Sequence, residues 1–205
     1  MEPDEIQKEN TITLIGEYQG VEDTFENKGE EYKRFILAVK RTSGVCDFIP
    51  VVCKASKLKL IEVCNIIKVT GSVRSRNIKV NEKSKLKVYV HANDIEFQTE
   101  PVDDYNLFTI TGFVCKAPVS RLTPSKLKIT DIMIAYNSTF NRSFYLPSLA
   151  FRKTADDAAE LKIGDKITIQ GRFQSRDYNK VIDDNTTVRL TAYELAISSF
   201  VKEEK

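Results

Sequence analysis

The chain has 205 residues, of which 41% are hydrophobic and 29% are charged, and its net charge is +2. This composition is typical of a folded globular protein and excludes a largely disordered chain. The N-terminal stretch MEPDEIQKEN has no apolar core, and no apolar run reaches the roughly 20 residues that span a bilayer. We therefore expect a cytoplasmic protein without a membrane partner, with free thiols at its four cysteines.

The first half predicts five strands and one short helix. TITLIGEYQ (residues 11–19) and KVTGSVRSR (68–76) alternate apolar and polar residues, as half-buried strands do. KLKVYVHANDIEF (85–97) is rich in β-branched and aromatic residues, which favour a strand. The helix is expected in ASKLKLIEVC (55–64), with Ser56 as its N-cap.

A short linker is predicted between two halves of similar length. QTEPVDDY, residues 98–105, combines a proline and three acids with almost no apolar residue. We therefore predict a first domain at residues 1–98, a linker at 99–105 and a second domain at 106–205.

The second half repeats the first. Four pairs of segments match in order: NTITLIG with NLFTITG, LAVKRTSGVCDFIP with IAYNSTFNRSFYLP, GSVRSRN with GRFQSRD, and YVHANDIEF with RLTAYELAI. The offset grows from 96 to 100 residues, so insertions lie between the matched blocks, as expected if the blocks are regular elements and the insertions are loops. The helix of the second copy is expected in TADDAAEL (154–161), capped by Thr154 and closed by Gly164.

Five strands with a helix after the third, repeated twice, predict an all-β chain of two tandem OB-fold barrels. Gly16, Gly71, Gly112 and Gly171 fall inside the strand patterns, where glycine usually marks a sharp bend. A small barrel needs such bends in its first and fourth strands.

The motifs together resemble the bacterial single-stranded DNA-binding (SSB) proteins. The residues that carry the likeness are NTITLIG, FILAVKR, DFIPVV, GSVRSR and the final DIEF, in that order. The resemblance implies binding of single-stranded DNA in replication, recombination or transfer of a mobile element, in the family's tandem two-barrel form. It also implies a homodimer with four OB barrels. The family's acidic C-terminal tip, which recruits replication enzymes, has no counterpart in SSFVKEEK, which puts recruitment through such a tip in doubt.

Cations on the repeated strands predict contacts to a phosphate backbone. Arg74 and Arg76 share one strand face, as do Arg172 and Arg176 with Gln174 between them. Further cations surround the matched strands: Lys40, Arg41, Lys54, Arg142 and Arg152.

Aromatic residues differ between the copies at the four positions where the resembled family stacks bases. The second copy has the four rings Phe140, Tyr145, Phe151 and Tyr178. The first copy has Ser43, Phe48, Lys54 and Ile78, of which only Phe48 is a ring. Base stacking is therefore expected to be stronger on the second barrel.

Catalysis is not predicted. The single histidine, His91, lies in a strand pattern, and the chain has neither a phosphate-binding glycine loop nor a Cys-x-x-Cys pair. We expect no catalytic residue, no metal site and no cofactor. Two other functions remain open: an architectural or oligomerisation OB module without nucleic-acid binding, and an OB protein that binds RNA or another protein.

Overall fold

The computed structural model describes residues 9–58, 62, 65–80, 83–100, 102–138, 142–183 and 186–203. The predicted all-β OB class is confirmed. The strands are β1 (Asn10–Asn27), β2 (Glu30–Lys40), β3 (Cys46–Lys54), β4 (Ile66–Val80), β5 (Lys83–Phe97), β6 (Tyr105–Val114), β7 (Val119–Leu122), β8 (Lys128–Asn137), β9 (Ser143–Phe151), β10 (Lys166–Asp183) and β11 (Thr186–Lys202). One helix, α1, spans Lys153–Ala159.

Two closed five-stranded circuits follow from the strand pairings. In the first copy, β1 pairs with both β2 and β4, and the parallel pair β3–β5 closes the ring. In the second copy, β6 pairs with both β8 and β10, and the parallel pair β9–β11 closes it. Strands β6 and β7 together correspond to the long β1 of the first copy. Pro118 precedes β7 and has no N–H for a ladder hydrogen bond, which fits the interruption.

The helices differ from the prediction in detail. Thr154 is not an N-cap, because α1 begins one residue before it and its cap residue is Arg152. Gly164 does not end the helix, which stops at Ala159. It lies instead in the turn before β10, with a φ of 90°. In the first copy a short 3₁₀ helix spans Ala55–Leu58 and contains Ser56, so Ser56 does not precede the turn as a cap. The rest of that predicted helix falls mostly on residues outside the described ranges.

The fourth strand of each copy bends at its glycine, as the sequence predicts. A Cβ on Gly71 would lie 2.1 Å from the backbone oxygen of His91, and one on Gly171 would lie 2.0 Å from that of Ala196. Both glycines sit at a register shift, between Thr70 and Gly71 and between Gln170 and Gly171. Glycine is required there because the neighbouring backbone approaches too closely for any side chain.

The two barrels are joined edge to edge by their first strands. Strand β1 pairs antiparallel with β6, and Ile12 lies opposite Phe108, its own counterpart in the repeat. A pseudo-twofold axis therefore passes between these two residues. The pairing makes one continuous sheet, β5-β4-β1-β6-β10-β11, across the molecule.

The repeated asparagine fixes the start of each first strand. The Asn10 amide donates to the Val73 carbonyl at 2.8 Å, and its oxygen accepts from the Val73 N–H at 2.9 Å. Asn106 makes the same pair of bonds to Phe173, at 2.7 and 2.9 Å. Each side chain thus bonds to a fourth-strand backbone that would otherwise carry buried, unpaired groups.

Strand β5 ends at Phe97 and β6 begins at Tyr105, while the domain limits remain a prediction. No helix within the described ranges is long and apolar enough to cross a membrane.

Candidate nucleic-acid interface

Each barrel reaches across the pseudo-twofold axis to the fourth strand of the other. The N–H of Phe48 on β3 donates to the Ser175 hydroxyl on β10 at 2.9 Å. In the related position, the N–H of Tyr145 on β9 donates to the Ser75 hydroxyl on β4, also at 2.9 Å. Ser75 stands between Arg74 and Arg76, and Ser175 stands between Gln174 and Arg176. The aromatic side chains beside these bonds are half exposed, at 49% for Phe48 and 46% for Tyr145.

A buried ion pair reinforces one side of this junction. The Asp47 carboxylate, 1% exposed, accepts from the Nε and Nη2 of Arg41 at 2.7 and 2.6 Å. It also accepts from the N–H of Ser175 at 2.8 Å, so it spans both copies. The hydrogen bond to Asp47 raises the pKa of Arg41. The second copy has Phe144 at the position of Asp47, so the corresponding ion pair is present on one side of the junction only.

A hollow of about 640 Å³, here called the second groove, lies on the second barrel but includes a ring of the first. Its aromatic and cationic lining residues are Phe48, Phe151, Tyr193, Arg41, Arg172 and Arg176. The sequence assigned Phe48 to the first barrel. Phe48 does lie on β3 of the first barrel, but it lines this hollow together with Phe151 and the cations Arg172 and Arg176 of β10.

Arg176 and Tyr178 form a cation–ring pair at the edge of the second groove. The Arg176 guanidinium lies 5.7 Å from the Tyr178 ring centroid, and it also contacts the Glu194 carboxylate at 3.2 Å. Tyr178 lines a smaller hollow of about 280 Å³, here called the connecting hollow, together with Lys85, Lys87 and Tyr193.

A further hollow of about 540 Å³, here called the first groove, lies on the first barrel. Its aromatic rings are Phe25, Tyr32, Tyr89, His91 and, from the second barrel, Tyr193. Its cations are Arg34, Arg74, Arg76, Lys87 and Arg142, and its acids are Glu22 and Glu26. Tyr193 lines all three hollows, so the first groove, the connecting hollow and the second groove adjoin one another.

Positive charge is crowded along these hollows. Burial and then the neighbouring cations Lys85, Arg34 and Arg76 lower the pKa of Lys87. The pKa of Arg172 is lowered mainly by burial and secondly by the positive charge of Arg41. Like charges held together in this way favour the binding of an anion.

His91 is uncharged at neutral pH. Burial, followed by the charge of Arg74, lowers the pKa of its ring to about 4. Its ring centroid lies 6.3 Å from that of Tyr32. The ring therefore contributes an aromatic face to the first groove rather than a charge.

The structure brings together many of the predicted site residues. The three hollows are lined by Phe48, Phe151, Tyr178, Arg41, Arg74, Arg76, Arg142, Arg172 and Arg176. Arg74 also stacks over Phe144, with 5.9 Å to the ring centroid. Phe140 lies outside the described residues.

Four predicted residues lie apart from the three hollows. Lys54 pairs with Glu30 at 2.5 Å, Arg152 is an exposed residue at the start of α1, and the backbone of Lys40 bonds to the Asp104 carboxylate. Tyr145 is held at the junction by its own N–H. Their predicted contacts to DNA stay predictions.

The sequence reasoning missed four rings: Phe25, Tyr32, Tyr89 and Tyr193. None lies at a position where the resembled family stacks bases, so matching by family position could not find them. A signal was present in strand alternation, since Val88 and Val90 are buried and Tyr89 between them must face outward.

Among the described residues, no group of three or more His, Cys, Asp or Glu side chains could hold a metal ion.

Comparison with known proteins finds a family model that matches the second half of the chain. Residues 105–200 match the model of the family described as the single-strand binding protein family. No curated protein sequence matches the chain.

Solved structures match over nearly the whole chain. The wild-type single-stranded DNA binding protein from Thermus aquaticus has a TM-score of 0.75 at 22% identity, covering 96% of this chain and 93% of that one. A deletion mutant of the same protein has a TM-score of 0.76 at 21% identity, covering 96% and 95%. At this level of identity the likeness establishes the fold.

Proposed function

We propose that this chain, whose residues 105–200 match the model of the single-strand binding protein family, binds single-stranded DNA without regard to base sequence. The observation that carries the proposal is the second groove, where Phe48 and Phe151 lie beside Arg172 and Arg176. Rings provide faces on which any base can stack, and guanidinium groups neutralise phosphates. The Thermus aquaticus proteins of similar fold are, by their descriptions, single-stranded DNA binding proteins.

Binding by these residues needs no catalytic step and no cofactor. Stacking and phosphate contacts carry little sequence information, because every base has a π-face and every nucleotide has the same phosphate. The proposed activity is therefore the holding of unpaired strands, with the roles in replication, recombination or mobile-element transfer as its expected settings.

A titration with three nucleic acids tests the proposal. Single-stranded DNA, single-stranded RNA and duplex DNA of equal length are titrated by filter binding at several salt concentrations. We expect the tightest binding to single-stranded DNA. The log–log salt slope should be about −2 or steeper, because each phosphate contact on a single strand contributes about −0.7. Equal and negligible binding to all three nucleic acids would contradict the proposal and favour an architectural role. Tighter binding to single-stranded RNA would show that the ligand is RNA and not DNA.

The outer face of the joined sheet supports a homodimer with four barrels. Around the pseudo-twofold axis, Ile15 lies opposite Tyr105 and Thr13 lies opposite Leu107. Tyr105 and Leu107 are 42% and 40% exposed, and the outward residues of 11–15 and 105–109 carry no charge. An uncharged face on a pseudo-twofold axis suits pairing with a second copy of itself.

Light scattering tests the dimer. The wild type should have about twice the chain mass of 23.3 kDa at micromolar concentration. Leu107→Glu places a charge on this face and should give a folded monomer, whose melting temperature falls only by the stabilisation that association adds. Thr24→Glu on the exposed β1–β2 hairpin adds the same charge away from the face and should stay dimeric. A wild-type monomer would contradict the dimer without affecting the DNA-binding proposal.

A further inference from the structure

We infer that the first barrel has a base-stacking site of its own, formed by Phe25, Tyr32 and Tyr89, and that one DNA strand runs from it past Tyr193 into the second groove. This inference rests on the proposed function, and it assigns a role to the barrel that lacks three of the four expected rings.

The rings of the first groove are already arranged in a stack. Phe25 and Tyr32 face each other across the β1–β2 hairpin with centroids 5.8 Å apart and planes 15° from parallel. The Arg34 guanidinium lies over the Phe25 ring, 6.0 Å from its centroid. The His91 ring lies on the Tyr32 side, with its centroid 6.3 Å from that of Tyr32. Phe25, Tyr32 and Arg34 are partly exposed, so a base that enters the groove can contact them.

The charges of the first groove favour a polyanion. Five cations line it against two acids, Glu22 and Glu26. Asp23 on the same hairpin pairs with Arg34 at 3.4 Å, while Arg76 is exposed and Lys87 lies among other cations. The positive excess extends through Lys85 and Lys87 into the connecting hollow.

The adjacency of the three hollows favours a strand over a free nucleotide as the occupant. Tyr193 of the second barrel lines the first groove, the connecting hollow and the second groove. A mononucleotide would occupy one hollow, whereas a strand can contact rings in the first and second grooves together. The length of bound DNA should therefore distinguish this site.

The test compares two oligothymidylates, one too short to leave the second groove and one long enough to span both. The double variant Tyr32→Ala/Tyr89→Ala should lose about tenfold or more in affinity for the long oligomer. It should also occlude fewer nucleotides per chain, while its affinity for the short oligomer stays that of the wild type. Because the chain has eight tyrosines and no tryptophan, the quenching of tyrosine emission on binding reports directly on ring contacts.

Three controls keep the test specific. Tyr32→Phe/Tyr89→Phe keeps both rings and should restore the long-oligomer affinity and site size. Phe97→Ala removes a ring that is 52% exposed at the end of β5 and lines none of the three hollows, and it should bind as the wild type does. Thermal melts must show that the alanine variant is folded; if it is not, Tyr32→Leu/Tyr89→Leu keeps apolar bulk without the rings and should show the same loss.

The outcomes separate the inference from the proposed function. If the wild type binds neither oligomer, the proposed function fails. If the wild type binds both and the folded ring-deleted variant keeps the long-oligomer affinity and site size, the inference alone is overturned.

Discussion

The buried pair Arg41–Asp47 should be worth far more than an exposed pair of the same chemistry. Removing the Asp47 carboxylate deletes two hydrogen bonds from Arg41 and one from the N–H of Ser175. Breaking a buried pair by deleting one partner costs about 3–5 kcal/mol. Because the Arg41 side chain is 23% exposed and can turn partly to water, we expect about 2–3 kcal/mol for Asp47→Ala. For a chain of this size that is a fall in melting temperature of roughly 5–10 °C.

Double-mutant cycles measure this difference within one protein. Alanine is placed at Arg41, at Asp47 and at both, and the free energy of unfolding is obtained from urea titrations. The control cycle uses Arg121 and Asp131, which pair at 2.7 Å with side chains 47% and 40% exposed. We expect a coupling above about 1.5 kcal/mol for the buried pair and about 0.2–1 kcal/mol for the exposed one. Equal couplings would refute the reasoning that burial, rather than geometry, gives this junction its strength.

Three further outcomes are expected. Asn10→Ala leaves the N–H and C=O of Val73 buried without partners and should lower the free energy of unfolding by about 2–3 kcal/mol in urea titrations; a change below about 0.5 kcal/mol would show that water replaces the amide. Between pH 6.5 and 4 the unfolded chain binds a proton at His91 that the folded chain does not, since the folded pKa is about 4. The free energy of unfolding should thus fall as pH falls through this window. After allowance for the partial exposure of the ring, the wild type should lose on the order of 1–2 kcal/mol more than His91→Asn does. Equal losses in the two proteins would contradict the neutral ring. Phe48→Ala should weaken single-stranded DNA binding by about tenfold at an unchanged melting temperature, whereas Val45→Ala in the same groove should not, and equal effects of the two would argue against stacking.

The fold could be predicted from the sequence because its determinants are local and are stated twice. Strand alternation, the glycines at the bends and the repeated order of blocks each indicate an OB barrel. Gly71 and Gly171 are explained by one close backbone approach each. The helix caps could not be predicted with equal success, since α1 is a short segment whose N-cap position is held by Arg152, without a side-chain cap hydrogen bond, and not by Thr154.

The site was harder to predict because it depends on how the two copies meet. Position matching finds Phe48, but only the pairing of the two copies shows that it lines a groove together with residues of the other barrel. Tyr32 and Tyr193 lie in different copies and line one groove together, which no comparison of one copy with the other could show. Contacts between the copies cannot be found by aligning them, because the alignment identifies only the residues that the copies share.

The junction gives a physical reason for the duplication to have diverged in charge and rings. In a homodimer of single barrels, an acid at the position of Asp47 would be present on both sides of the axis and would make two equivalent ion pairs. Within one chain only one side needs the acid, and the other position is free to hold Phe144, over which Arg74 stacks at 5.9 Å. The same freedom allows Phe25, Tyr32 and Tyr89 to line one groove while Phe48, Phe151 and Tyr178 line the path on the other side. Joining two barrels in one chain therefore permits two grooves of different composition in one molecule.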